Sequence, residues 1–143
     1  MYRHILVASD GSPFSARAIR TAVALAKSLG AKLTGLHVVA AYAPAGGGMF
    51  PASLSGYERE LRRQKERALA QLRSEGRKSA VDVGVASVVG GEPWRAILDK
   101  AKKRKCDLVV MASHGRTGVA GLLLGSETHK VLTHSTIPVL VCR

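Results

Sequence analysis

Five short apolar runs punctuate this chain, and each gap between them carries a helix pattern. Residues 4–8, 32–39, 81–86, 107–112 and 137–142 read as strands. Between the first two, Ser12-Pro13 signals a helix start, with Ser as cap and Pro in the first turn. Ala18, Ala22, Leu25, Ala26 and Leu29 then recur at helical spacing, and Gly30 stops the helix. Residues 54–75 form a charged helix with Leu61, Ala68, Leu69 and Leu72 on one stripe, ended by Gly76. Trp94, Ile97, Leu98 and Ala101 make residues 92–104 amphipathic, and 126–134 form a last short helix. Regular alternation of strand and helix predicts an α/β fold: a doubly wound, five-stranded parallel sheet with helices on both faces. Val81, Val83 and Val85 alternate with Asp82, Gly84 and Ala86, which suits an edge strand. Pro138, early in the last run, also suits an edge. Residues 40–53, with Gly46-Gly47-Gly48, are too many for a mere connector.

The length of 143 residues, 46% of them hydrophobic, fits one domain spanning 1–143 with a substantial core. No apolar run approaches the ~18–20 residues that span a bilayer. The chain enters strand-like sequence within a few residues of Met1, with no leader pattern, so a cytoplasmic protein is expected. Cys106 and Cys142 belong to no CxxC pair, which removes the usual zinc pattern, and both are expected as buried free thiols. The net charge is +12. Eight Lys or Arg stand against three Glu between Arg59 and Lys78, and residues 100–105 add a second basic cluster. These are either two solvated helix faces or an attractor for nucleic acid, acidic lipid or anionic ligands. With three Tyr, two Phe and one Trp, and no basic-aromatic interleaving, the chain offers no stacking platform for single-stranded nucleic acid.

The chemistry concentrates late in the chain. The apolar run Val109-Val110-Met111-Ala112 leads into a loop punctuated by Gly115, Gly118, Gly121 and Gly125, and Ser126 opens the last helix. Backbone N–H groups at a strand end and a helix N-terminus form a site for phosphate. Gly115 and Gly125 let the backbone approach a ligand, and Ser126 can cap the helix or turn its hydroxyl to a phosphate oxygen. The competing reading is a surface loop that needs glycine to turn. Asp10 also has two readings, as a turn residue bonding nearby N–H groups or as a ligand contact. Arg116 is placed to reach a terminal phosphate and His114 to contact one or orient the loop. His4, His37, His129 and His134 lack ligand spacing and are expected to be structural or exposed.

This segment resembles the nucleotide-binding signature of universal stress proteins: Gly, two residues, Gly, nine residues, then Gly-Ser or Gly-Thr. Gly115 and Gly125-Ser126 match; the first glycine is Ala112 here, a methyl group that bears on affinity more than on site identity. The strands Ile5-Leu6-Val7-Ala8-Ser9-Asp10, Leu36-His37-Val38-Val39 and Ile137-Pro138-Val139-Leu140-Val141 are similar to the family's as well, so the resemblance covers nearly the whole chain. It implies a Rossmann-like sheet of the adenine-nucleotide alpha hydrolase type, with strand order 3-2-1-4-5. The switch point then lies between strands one and four, where ligands bind at the carboxyl ends of strands. The resemblance further implies that ATP, ADP or AMP is held by Ala8, Ser9, Asp10, Val38, Met111, Ala112, His114, Gly115, Arg116, Gly125, Ser126 and Glu127. Val38 and Met111 would wall the adenine. Asp10 would touch ribose or, through Mg²⁺ or Mn²⁺, phosphate, since a bare carboxylate repels phosphate.

Function then follows as a stress-response regulatory or signalling module that binds adenine nucleotide, acts on a protein partner and pairs into a homodimer through its last strand. An apolar edge at Val139-Leu140-Val141 supplies the physical motive for pairing. No Walker motif, dinucleotide fingerprint, Ser-His-Asp set or Cys-His set is recognisable, and no general base stands out beyond Asp10. A slow ATPase or a phosphoryl- or nucleotidyl-transfer enzyme is the alternative. A basic module binding nucleic acid or a membrane surface is the third reading.

Overall fold

The computed structural model describes residues 1–40, 54–115 and 124–143. The elements are β1 (His4–Ser9), α1 (Pro13–Leu29), β2 (Lys32–Val39), α2 (Leu54–Lys78), β3 (Val83–Val89), α3 (Pro93–Arg104), β4 (Leu108–Ala112), α4 (Ser126–His134) and β5 (Val139–Cys142). The five strands form one sheet of order β3-β2-β1-β4-β5, and every pairing is parallel. The two runs read as edge strands are the edges. The long loop expected at 40–53 falls, but for Ala40, outside the described residues.

Strand alternation divides the core. Ile5 and Val7 of β1, with Leu108, Val110 and Ala112 of β4, pack against Ala18, Ile19, Ala22 and Val23 of α1 and Leu72 of α2. Leu6, Ala8, Val109 and Met111 face the other way, against Ile97 and Ala101 of α3 and Val131 of α4. A side-chain period of two thus sends successive strand residues into separate layers. Gly35 permits the close crossing of α2 over β2: a Cβ there would lie 2.7 Å from Leu72 Cδ2.

Several local expectations change. Gly30 stops α1 as expected, at φ 62°. Gly76 does not stop α2, which runs on to Lys78 before the chain reverses at Ala80, φ 56°. A Cβ on Gly76 would sit 2.5 Å from Val83 Cγ2 and 2.6 Å from the Val81 carbonyl, so this glycine serves close packing. That return turn takes up Val81 and Asp82, and β3 begins later than the valine alternation suggests. Ser12 occupies the cap position of α1 but its hydroxyl makes no capping bond. Gly125, not Ser126, is the cap residue of α4. Cys106 is buried, as expected, whereas Cys142 on the edge strand is partly exposed; both are free. Burial and the neighbouring Asp107 charge push the Cys106 thiol up to about 11, against the opposing pull of Arg104. Among the described residues no helix is long and apolar enough to cross a membrane.

Candidate functional site

The carboxyl ends of β1, β2 and β4 open into a cavity of about 780 Å³. It lies where the strand order reverses, the position in open α/β sheets at which connections leave in opposite directions and a crevice results. Ala8, Ser9 and Asp10 border it from β1, and Val38 from β2. Met111, Ala112, His114 and Gly115 border it from the tip of β4, and Gly125, Ser126 and Glu127 from the start of α4. Every expected site residue that is described is therefore brought to one cavity; Arg116 lies outside the described residues.

The Asp10 carboxylate closes a turn and also borders the cavity. Its Oδ1 accepts the Ser12 N–H at 2.9 Å, closing the turn into α1. Its Oδ2 lies against Gly115, 2.8 Å from where a Cβ on that glycine would stand. Below this turn the Ser9 hydroxyl accepts from the Gly11 N–H at 3.1 Å and donates to Ser15 Oγ at 3.0 Å. Ser15 in turn donates to the Ser12 carbonyl at 2.7 Å. This chain of bonds fixes the β1 tip. Val38 and Met111 are buried core residues that also present a surface to the cavity.

Gly125 has a structural use. The Gly125 N–H donates to the Ser113 carbonyl at 2.7 Å, so it ties the start of α4 to the end of β4 and is not offered to a ligand. Gly125 must be small there, because a Cβ would lie 3.1 Å from that same carbonyl. Thr128 reinforces the tie through a hydrogen bond from Oγ1 to the Ala112 carbonyl at 3.0 Å. Among the described residues the first amides of α4, at Ser126, Glu127 and Thr128, border the cavity and have no acceptor within the helix. Glu127 turns its carboxylate away to α3: Oε2 accepts the Trp94 N–H at 2.9 Å, and Oε1 lies 3.4 Å from Lys130 Nζ. His114 Nδ1 is 3.0 Å from Ser113 Oγ.

The other histidines are structural where expected. His37 is fully buried with Nδ1 2.9 Å from Ser87 Oγ, and His4 Nε2 is 2.9 Å from Thr34 Oγ1. Among the described residues no group of three or more His, Cys, Asp or Glu is poised to hold a metal. The described lining includes the acidic residues Asp10 and Glu60, and Glu127 with its carboxylate turned to α3, and no Lys or Arg. The basic clusters of α2 and α3 lie on helices packed against opposite faces of the sheet.

One wall was missed from sequence. Tyr57, Glu60, Leu61 and Gln64 of α2 border the cavity. Their spacing of three, four and seven marks one helix stripe, but the stripe through Leu61, Ala68 and Leu72 reads as core throughout. Ala68 and Leu72 are in the core; Leu61 is on the cavity wall.

The family model described as the universal stress protein family matches residues 1–143. Universal stress protein YxiE of Bacillus subtilis is 34% identical, with all of both chains covered. The structure is similar to universal stress protein UspA from Lactobacillus plantarum, with a TM-score of 0.82, 28% identity, and 99% of this chain and 98% of that one covered. It is also similar to a universal stress protein solved in complex with cAMP, with a TM-score of 0.69, 27% identity, and 99% and 97% covered. Sequence match along the full length and the shared sheet order agree: the chain belongs to the universal stress protein family.

Proposed function

We propose that the cavity binds an adenine nucleotide and that its occupancy is the signal this protein passes to a protein partner in a stress response. The observation that carries the reading is the convergence of Asp10, Val38, Met111, Gly115 and the first amides of α4 on one cavity at the switch point. In this arrangement phosphate sits at the first turn of α4, where N–H groups and the helix dipole favour an anion. The base lies between Val38 and Met111, and Asp10 faces the sugar or the phosphates. A related protein of the same fold holds cAMP. Carboxylates without Lys or Arg in the described lining oppose a bare polyphosphate, so ATP is expected to enter with Mg²⁺ or Mn²⁺. Asp10 fits such an ion as a single carboxylate ligand, with phosphates and water completing the shell. Titration calorimetry with ATP and Mg²⁺ tests the proposal; absence of heat at millimolar nucleotide refutes it.

The partner copy is expected at β5. This edge strand leaves Leu140 exposed and Val139 and Val141 partly so, and Leu132 of α4 is exposed as well. An unpaired apolar edge favours controlled pairing with a second chain. Sedimentation should find a dimer, and a strict monomer at micromolar concentration refutes that part.

A further inference from the structure

We infer that Gln64, held in one orientation by Glu60, reads the edge of the nucleotide base and selects an amino-purine over an oxo-purine. The inference rests on the nucleotide reading above and adds to it residues of α2 that the glycine-loop signature does not include. Position supplies the first argument. The start of α4 is tied to the tip of β4, whereas α2 packs on β2 and β3, further along the sheet. A ligand with phosphate at α4 and its body across the tips of β4, β1 and β2 brings its far end to α2. The Glu60 carboxylate disfavours phosphate at that end.

Hydrogen bonding supplies the second argument. Gln64 Nε2 donates to Glu60 Oε1 at 3.0 Å. Glu60 Oε2 lies 3.9 Å from Arg63 Nη1, one helical turn away on the same surface. A carboxylate only accepts, so the nitrogen of the Gln64 carboxamide must face Glu60. The carboxamide oxygen and the second N–H remain for a ligand. That oxygen suits the exocyclic amine of adenine, and the N–H suits a ring nitrogen beside it. Hypoxanthine presents a carbonyl in place of the amine. Accepting it requires the carboxamide to flip, which points its oxygen at the Glu60 carboxylate. An untethered glutamine flips freely and does not discriminate. Tyr57 and Leu61, on the same helix stripe, bound the cavity beside this pair.

The test compares ATP and ITP, each with Mg²⁺, on wild type, Gln64→Ala and Glu60→Ala by calorimetry. Wild type should bind ATP about tenfold tighter than ITP, at the lower end of what one well-oriented amide pair discriminates. Gln64→Ala should weaken ATP and keep ITP near wild type, whereas Glu60→Ala frees the carboxamide to flip and should tighten ITP; in both the ratio falls toward unity. Glu60 is exposed and Gln64 half-buried, so neither change is expected to disturb folding. Equal binding of ATP and ITP by wild type overturns the inference and leaves the nucleotide site standing. A ratio that survives Gln64→Ala overturns it too, and one that survives Glu60→Ala removes the orienting role. Failure of wild type to bind either nucleotide overturns the site and this inference together.

Discussion

The contact between Asp10 and Gly115 offers the sharpest test of the site's geometry. An added methyl at Gly115 would meet Asp10 Oδ2 at 2.8 Å, whereas ordinary contact begins at 3.4 Å. The carboxylate can move, but its Oδ1 is anchored by the Ser12 N–H. Weakening that bond in a half-buried turn costs about 1 kcal/mol. Against this, Gly115 has no positive φ, so alanine there stiffens the unfolded chain and stabilises by about 0.4–1 kcal/mol. The two effects nearly cancel in wild type, and Gly115→Ala should leave stability unchanged or slightly lower. With Asp10→Ala the obstruction is gone and only the favourable term remains, so the same substitution should stabilise. The coupling between the two sites is therefore about 1 kcal/mol, or roughly 2–4 °C in Tm for a chain of this size. Thermal unfolding of both single variants and the double variant measures it. An identical shift from Gly115→Ala in both backgrounds would mean that the methyl group never meets the carboxylate, and the picture of Asp10 lying over the glycine would be wrong.

Two further outcomes follow from single residues. Alanine normally favours a helix over glycine by about 1 kcal/mol. At Gly76, however, the Val81 carbonyl cannot swing aside, and overpacking of about 1–3 kcal/mol should make Gly76→Ala a net loss. Gly84→Ala meets nothing closer than the Leu33 carbonyl at 3.9 Å and should be neutral or stabilising, so an equal Tm change in the two variants refutes the packing role of Gly76. The Asp107 carboxylate accepts the N–H groups of Arg3 and His4 at 2.9–3.1 Å, which ties the chain start to β4. Desolvation pushes its pKa up, but these amides, its own N–H and the Arg3 charge outweigh that and hold it below the ordinary value of 3.8. Its contribution is thus present above that value and lost as pH falls through the lowered one. Asp107→Asn should melt below wild type at neutral pH and approach it in strong acid; a constant gap across pH would refute the linkage.

What the sequence made legible is what depends on periodicity. α4 and β2 fall where the patterns place them, because the strand and helix periods differ and both segments are cleanly bounded. Glycine was legible only in part, because it has two uses. Gly30 ends a helix by adopting positive φ, while Gly76 lets Val83 approach, and that partner is known only once β3 is placed. The use of Gly125 was hidden for a similar reason. Spacing marks Gly125 as part of the loop, but only the fold shows that its N–H is spent on Ser113. The α2 wall was hidden because one apolar stripe serves two surroundings: its far half packs into the core and its near half borders the cavity. Periodicity states which residues share a face, not where that face runs past the edge of the sheet.

The same separation of surroundings decides what Ala112 does in place of the signature's first glycine. A methyl at this position acts in one of two ways: it crowds the ligand, or it demands a backbone angle that alanine resists. Among the described non-glycine residues only Ala80 and Lys105 have positive φ, so Ala112 sits in ordinary extended backbone. Strand alternation groups it with Leu108 and Val110, in the layer of α1, and Met111 points to the opposite layer. Its methyl therefore belongs to the core although the residue borders the cavity, and its carbonyl is held by Thr128. Ala112→Gly removes a buried methyl worth about 0.8 kcal/mol and adds strand entropy of about 0.5–1 kcal/mol. A fall in Tm of roughly 3–6 °C should result, by the size scaling of unfolding entropy. Nucleotide affinity, measured on the same variant by calorimetry, should stay within about twofold of wild type, a difference of about 0.4 kcal/mol. Tighter binding by tenfold or more with Tm unchanged would place the methyl against the ligand instead, and the assignment of β4's two faces would have to be reversed.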